Sequence, residues 1–346
     1  MAAQYKRLKM LSTTKITAFL KNNGVDIVGF HLIDNDYADY YQHLEQKKAA
    51  GSLYERTNMD ASAYIAFNEV VPHAKTIISL GICYSQPVVK VRAAACGCYS
   101  QISYGQDYHL VLTEKLKLLQ AYILKTAGIA NCYFCCDTGV LDDRYVAYLC
   151  GNGFYGKNSM LINEEFGPSV VYGSFVCDIA ITDIINKKLV SQCGCCNLCE
   201  QACPTKSLHD YQLHYATCLA YLTQSKAMIP AAYLKDCFYG CDICNNICPY
   251  QNKLRVNPLF KDEGYDDLLK IIMMSKKEYE QSFACKSMSW LNYNIIKKNA
   301  LLLYVKRKHL KSDEIVELRA SLLKKKKLNS NLMVAAFNYL LEGNDD

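Results

Sequence analysis

The register Cys193-x2-Cys196-x2-Cys199-x3-Cys203-Pro204 constrains this chain more than any other feature. A second group, Cys241-x2-Cys244-x3-Cys248-Pro249, repeats its tail about 45 residues later. Three thiolates at two-residue gaps wrap one cubane, and the cysteine before proline is carried to the other cluster. The ligand sets therefore interleave: Cys193, Cys196, Cys199 and Cys248 for one [4Fe–4S] cluster, and Cys203, Cys241 and Cys244 for the second. Position 238, where the missing fourth thiolate would stand, is Phe, which leaves Cys218 and Cys237 as candidates. Zinc is disfavoured, because its sites offer two separated CxxC pairs or a Cys/His mixture rather than a triple x2 register ending in Cys-Pro.

Composition narrows the alternatives. With 346 residues, 51% of them hydrophobic, the chain can bury a large core without cross-links. Its 19 cysteines are then expected as ligands or buried thiols, not a disulfide framework. Cys195 stands outside the register. Most of Cys83, Cys96, Cys98, Cys132, Cys135, Cys136, Cys150, Cys177 and Cys285 are expected as small core hydrophobes. The N-terminus has no apolar segment behind its basic residues, and no apolar run reaches about 18 residues. The expectation is a cytoplasmic, monomeric protein without membrane contact. Between Lys286 and Ser330 there are 12 Lys/Arg against 3 Asp/Glu, a field suited to a polyanion or to a solvated helical face.

Periodicity predicts a helix over Thr13 to Asn22, and strands over Thr76 to Leu80 and Ser169 to Ala180. After Ser287, helices are expected around Trp290 to Leu303, from a Ser312 cap with Ile315, Leu318 and Leu322 as its apolar stripe, and from about Asn331 to Gly343. Gly151, Gly153 and Gly156 permit close backbone approach by a large cofactor, or are turn glycines.

Several ordered motifs carry a family resemblance. They are Gly105-Gln106-Asp107-Tyr108-His109, Asp137-Thr138-Gly139 through Asp143-Arg144, Gly153-Phe154-Tyr155-Gly156-Lys157-Asn158, both cysteine groups, Cys218-Leu219-Ala220-Tyr221-Leu222-Thr223, and Tyr239-Gly240-Cys241-Asp242. Over nearly its whole length the chain resembles the epoxyqueuosine reductases, cobalamin-dependent iron–sulfur enzymes that complete queuosine in tRNA. The resemblance implies an α/β (α+β) N-terminal cobalamin-binding domain over 1–185, a bacterial ferredoxin-like domain with two [4Fe–4S] clusters over 186–255, and an α-helical HEAT-like domain over 256–346 that contacts tRNA.

It also implies Cys218 as the fourth thiolate of the second cluster, Asp137 as catalytic acid, and Arg56, Asp137, Leu161, Tyr172 and Ser225 beside the corrin. Electrons from an unidentified donor of ferredoxin or flavodoxin type would pass through the clusters to cobalamin. Asp137 would need its pKa raised toward neutrality to protonate the alkoxide left by C–O cleavage. Where the family carries arginines, proline and a TIE segment, this chain has Gln101 and Gln106, Val140, and Thr223-Gln224-Ser225. Loss of guanidinium groups would weaken a phosphate clamp. Two other readings share part of the pattern. A reductive dehalogenase would carry a twin-arginine export signal; an electron carrier would hold clusters without cobalamin.

Overall fold

The structure is a computed structural model that describes residues 11–343 apart from 35, 50–64, 89, 92, 129, 253–255, 326 and 329. The chain divides into two compact units. One is drawn from Met1–Cys83, Tyr108–Cys196 and Pro249–Lys253, the other from Tyr84–Asp107, Asn197–Cys248 and Leu254–Asp346. These boundaries cut across the three consecutive segments expected from sequence.

The first unit is built on a four-stranded antiparallel sheet in the order Ile27–Leu32, Thr76–Cys83, Val170–Cys177, Cys132–Cys135. Side chains alternate across a strand, so the register that pairs Ile77 with Val176, Ser79 with Ser174 and Gly81 with Tyr172 puts these six on one face. The helix Asp143–Leu149 covers that face, its Val146 and Leu149 clustering with Ile77 and Val176. The opposite face meets the helix Tyr108–Ala127 so closely that a Cβ on Gly173 would stand 3.0 Å from Leu116. Burial on both faces explains why TIISLGIC and VVYGSFVC read as unbroken apolar runs rather than alternating ones. The helix Thr13–Asn22 starts where predicted, because the Ser12 hydroxyl accepts the Lys15 N–H.

In the second unit, strand Cys96–Tyr99 lies between Cys237–Tyr239, parallel to it, and Tyr265–Asp267, antiparallel. Helices Leu268–Met273, Lys276–Phe283, Tyr293–Lys308, Ser312–Lys324 and Asn331–Leu341 follow. Leu219, Ile229, Leu234 and Phe238 share one apolar core with Ile296, Leu303 and Phe337 of those helices. The segment Asn197–Cys248 and the helical tail thus fold as one body. Ser312 is the first helical residue rather than the cap, and the Glu314 carboxylate accepts the N–H of the capping Lys311 at 2.8 Å.

The basic run departs from its expected place on an exposed face. Lys297 and Lys298 are buried in the helix Tyr293–Lys308. The Lys298 ammonium donates to the carbonyls of Ser225, at 3.1 Å, and Ala227. Asn299 donates to the Thr223 and Phe238 carbonyls at 2.6 and 2.9 Å. Lys306 reaches the Ala231 and Leu234 carbonyls, and Arg307 pairs with Asp236. The chain between Thr223 and Asp236 carries little regular secondary structure, so its inward carbonyls need donors from elsewhere, and this helix supplies them. Lys308, Lys311, Lys324 and Lys325 remain exposed. Among the described residues no helix is long and apolar enough to cross a membrane.

Candidate active site and cluster-binding thiols

Asp137 follows the edge strand Cys132–Cys135 in a tight turn closed by Thr138 N–H to the Cys136 carbonyl at 2.6 Å. Its backbone is left-handed, with φ of 59°, a conformation that non-glycine residues adopt only when their surroundings hold them there. The side chain is 63% exposed, and its Oδ2 accepts the Tyr108 hydroxyl at 2.7 Å and faces His109 Nε2 at 3.2 Å. The hydrogen bond from His109, followed by that from Tyr108, holds the Asp137 carboxyl below the usual carboxylate range, against the opposing effect of desolvation. The expected upward shift is therefore not found at this residue. Desolvation does push this carboxyl upward, but the hydrogen bonds from His109 and Tyr108 outweigh it.

The raised carboxyl is Asp143, six residues on, which burial pushes up to about 7. Asp143 Oδ2 accepts the Asp137 N–H at 2.6 Å, and its Oδ1 accepts the Ser174 hydroxyl. Sequence reasoning gave roles to none of Tyr108, His109, Asp143 and Ser174. The first three lie inside the quoted motifs, whereas Ser174 sits within an apolar strand with no local signal.

Of the residues expected near the corrin, Leu161 and Tyr172 fall in one buried apolar cluster with Ile27, Cys83, Ala147, Phe166 and Val170. The Tyr172 carbonyl accepts the Cys136 thiol at 3.8 Å, so this cluster borders the Asp137 turn. Leu161 and Tyr172 are enclosed in that cluster, so a corrin beside the acid would meet only its edge. Ser225 belongs to the second unit, where its carbonyl accepts Lys298 and its hydroxyl donates to Leu222. Arg56 lies outside the described residues. The glycines of the GNGFYG stretch serve the chain itself. Gly151 takes φ of 69° to end the helix Asp143–Leu149, and a Cβ on Gly153 or Gly156 would collide with Ile162.

Gln101, expected where an arginine could clamp phosphate, is buried and exchanges hydrogen bonds with the Gln86 backbone at 3.0 and 3.2 Å. Gln106 is exposed.

In the second unit, Cys203, Cys218, Cys241 and Cys244 gather. Burial raises the last two: Cys241, pushed up to about 12, also feels Asp242 and then Cys218 and Cys203, while Cys244 feels Cys241 and Cys218. Cys218 is raised by burial with Cys203 beside it. Burial opposes ionisation of Cys203 as well, but the Thr205 hydroxyl and the backbone around Ser207 outweigh it and leave this thiol lowered. Buried thiols so grouped become thiolates when a metal supplies the compensating charge.

Cys237, the other candidate for fourth ligand, is joined to Cys98 in a disulfide, with Cα atoms 4.4 Å apart on adjacent strands. Cys98 is therefore not one of the free core thiols, and Cys218 rather than Cys237 stands among the gathered thiols. Cys285 is exposed, another departure from the buried thiols expected, while Cys83, Cys135, Cys136, Cys150 and Cys177 are buried as such thiols should be.

Cys193 and Cys196 belong to the first unit and Cys199 and Cys248 to the second. The Lys157 ammonium donates to the Gly194 carbonyl at 2.9 Å, which ties the GFYGKN turn to the start of the cysteine register. Among the described residues no three Cys, His, Asp or Glu side chains stand close enough to hold a single metal ion.

Two family profiles match, "Epoxyqueuosine reductase QueG, DUF1730" over residues 65–138 and "4Fe-4S double cluster binding domain" over 192–251. The epoxyqueuosine reductase of Lactococcus garvieae is 35% identical over 290 residues, 79% of this chain and 81% of that one. The chain belongs to the epoxyqueuosine reductase family. It is an oxidoreductase with a double [4Fe–4S] cluster domain. The Bacillus cereus member is 29% identical over 312 residues, 83% of this chain and 78% of its own.

The structure of the Streptococcus thermophilus reductase superposes with a TM-score of 0.84 at 29% identity, covering 96% of this chain and 90% of that one. Another reductase, solved with an epoxyqueuosine-modified tRNA-Tyr stem loop, superposes at 0.82 with 25% identity, over 96% and 90% of the two chains. The mixed α/β content, the cluster domain and the helical C-terminal region expected from the sequence agree with these relatives.

Proposed function

We propose that this chain reduces epoxyqueuosine to queuosine at the wobble position of tRNA, with Asp137 as the proton donor. The reaction removes the epoxide oxygen as water and leaves a carbon–carbon double bond, consuming two electrons and two protons. The observation that carries the proposal is the Asp137 carboxylate, held on a left-handed turn by Tyr108 and His109 yet open to solvent.

Covering that carboxylate with substrate and an apolar macrocycle would desolvate it and raise its pKa toward the range of a general acid. His109 and Tyr108 then hold the proton network at Oδ2, where a developing alkoxide needs a donor. Leu161 and Tyr172, with Arg56 and Ser225 as further expected contacts, would hold cobalamin, which would supply low-potential reducing power when bound. Cys193, Cys196, Cys199 and Cys248 would hold one cluster and Cys203, Cys218, Cys241 and Cys244 the other, and these would supply electrons from a ferredoxin- or flavodoxin-type external donor. The tRNA backbone would meet the cations still exposed on the helical tail, Lys308, Lys311, Lys324 and Lys325.

The test is anaerobic turnover of epoxyqueuosine tRNA by reconstituted protein with cobalamin and a strong reductant, read by the mass of the digested nucleosides. The expected result is loss of one oxygen by the parent protein and at least a roughly 100-fold slower reaction with Asp137→Asn. Full turnover by Asp137→Asn would remove Asp137 as the acid. No turnover by a parent protein that binds cobalamin and both clusters would remove the substrate.

A further inference from the structure

We propose that Asp143 is a positioning residue that holds the Asp137 turn in its active shape, one carboxylate oxygen taking the Asp137 backbone N–H while the Ser174 hydroxyl anchors the other to the sheet. The inference rests on the reading of Asp137 as proton donor.

The geometry forms a continuous chain of contacts inside the first unit. Ser174 lies on the sheet face covered by the helix Asp143–Leu149, paired with Ser79 on the neighbouring strand. Its hydroxyl meets Asp143 Oδ1. Asp143 Oδ2 stands 2.6 Å from the Asp137 nitrogen, and the Asp137 carboxylate is in turn gripped by Tyr108 and His109 at the start of the helix Tyr108–Ala127. The turn is thus fixed at its backbone by one helix and at its side chain by another. Without an acceptor for its N–H, a left-handed aspartate would relax toward commoner backbone angles and carry its carboxylate away.

The neighbouring helix cap is independent of this contact. Asp142, not Asp143, accepts the Tyr145 N–H at 3.1 Å. Asp143 is therefore spare in capping, and its two oxygens are committed to Ser174 and the Asp137 turn.

The groups facing Asp143 are Ser174 from the central strand, Cys135 and Tyr133 from the edge strand, Asp142 beside it and Asp137 in the turn. Ser174 and the Asp137 N–H favour the carboxylate; burial and the two aspartates oppose it. The balance leaves this carboxyl at about 7, so near neutrality it exchanges between carboxylate and carboxylic acid. A carboxylate is the stronger acceptor for an N–H. The contact is accordingly tight above pH 7 and weakens below it.

The experiment reads the Asp137 amide proton directly by NMR in anaerobic, cluster-loaded protein labelled with carbonyl-13C cysteine and 15N aspartate. Three amides appear, because Cys-Asp occurs at Cys136-Asp137, Cys177-Asp178 and Cys241-Asp242, and Asp137→Asn identifies the one of interest. In the parent protein that resonance should move with a midpoint near 7. In Asp143→Asn, whose amide oxygen accepts without titrating, it should stay fixed, and the acidic limb of kcat/KM near neutrality should flatten.

Asp143→Ala should abolish the hydrogen-bonded shift and lower kcat roughly 10- to 100-fold with tRNA KM unchanged. Ser174→Ala, a small change compatible with folding, removes a donor that favours the carboxylate and should move the midpoint upward. An Asp137 amide that does not titrate, or titrates alike in parent and Asp143→Asn, overturns the proposal. The two readings fail separately. A titrating amide with full turnover by Asp137→Asn keeps the contact and discards the acid, while a silent amide with inactive Asp137→Asn does the reverse.

Discussion

Truncating Lys298 should cost far more than truncating any exposed lysine of the same basic run. Lys298→Ala removes a fully enclosed stem, worth about 2–5 kcal/mol of lost packing for side chains of this size. It also leaves the Ser225 and Ala227 carbonyls without a donor, at roughly 1–3 kcal/mol each. Relief of the buried ammonium works the other way. Desolvation lowers Lys298 from 10.5 to about 8, which corresponds to about 3.5 kcal/mol at about 1.4 kcal/mol per decade. The balance centres on a loss of about 4 kcal/mol.

The sign of the pH dependence follows from the same shift. The folded state holds fewer protons than the unfolded one between about 8 and 10.5, so the parent gains stability as pH rises through that window. Lys298→Met, with nothing to titrate, does not, and its deficit relative to the parent should widen from pH 7.5 to pH 9.5. Anaerobic urea unfolding of the reconstituted protein, followed by far-UV circular dichroism, measures both effects, with Lys324→Ala expected within about 0.5 kcal/mol of the parent. A Lys298→Ala variant as mild as Lys324→Ala would refute the claim that this helix supplies donors to the cluster segment.

Cys218→Ala should reduce bound iron from about eight to about four atoms per chain, while Cys237→Ala leaves the iron content unchanged; anaerobic iron analysis decides between the two candidate ligands. The double variant Lys324→Ala/Lys325→Ala should weaken tRNA binding and flatten its dependence on log salt by about 1.5, whereas folding is unaffected, as salt-titrated binding and circular dichroism would show. His109→Ala removes the hydrogen bond that contributes most to holding Asp137 low. The carboxyl of that variant should titrate at higher pH than in the parent, as carbon-detected NMR of the aspartate side chains would register.

The double-cluster domain was legible because a cubane draws three of its ligands from one short loop, so the chemistry is written as spacing from Cys193 to Cys199 and in the Cys-Pro that follows. The helix Thr13–Asn22 and the two buried strands were legible for a similar reason, since a cap or an apolar run is a local property. Other assignments depended on partners distant in sequence. A lysine in a basic run looks the same whether its ammonium meets water or a carbonyl, and only folding showed that Lys298 meets Ser225 and Ala227, more than 70 residues away. Spacing alone left Cys237 and Cys218 equivalent, the family motif favoured Cys218, and only the parallel strand pairing shows Cys237 set against Cys98.

By itself the sequence determined the iron–sulfur chemistry, the family and the position of the candidate acid, because each is carried by contiguous motifs. The tertiary structure alone decided which carboxyl is raised near neutrality. Desolvation and hydrogen bonding depend on what surrounds a group in space, and Ser174, which joins Asp143 to the sheet, stands 31 residues beyond it in the chain.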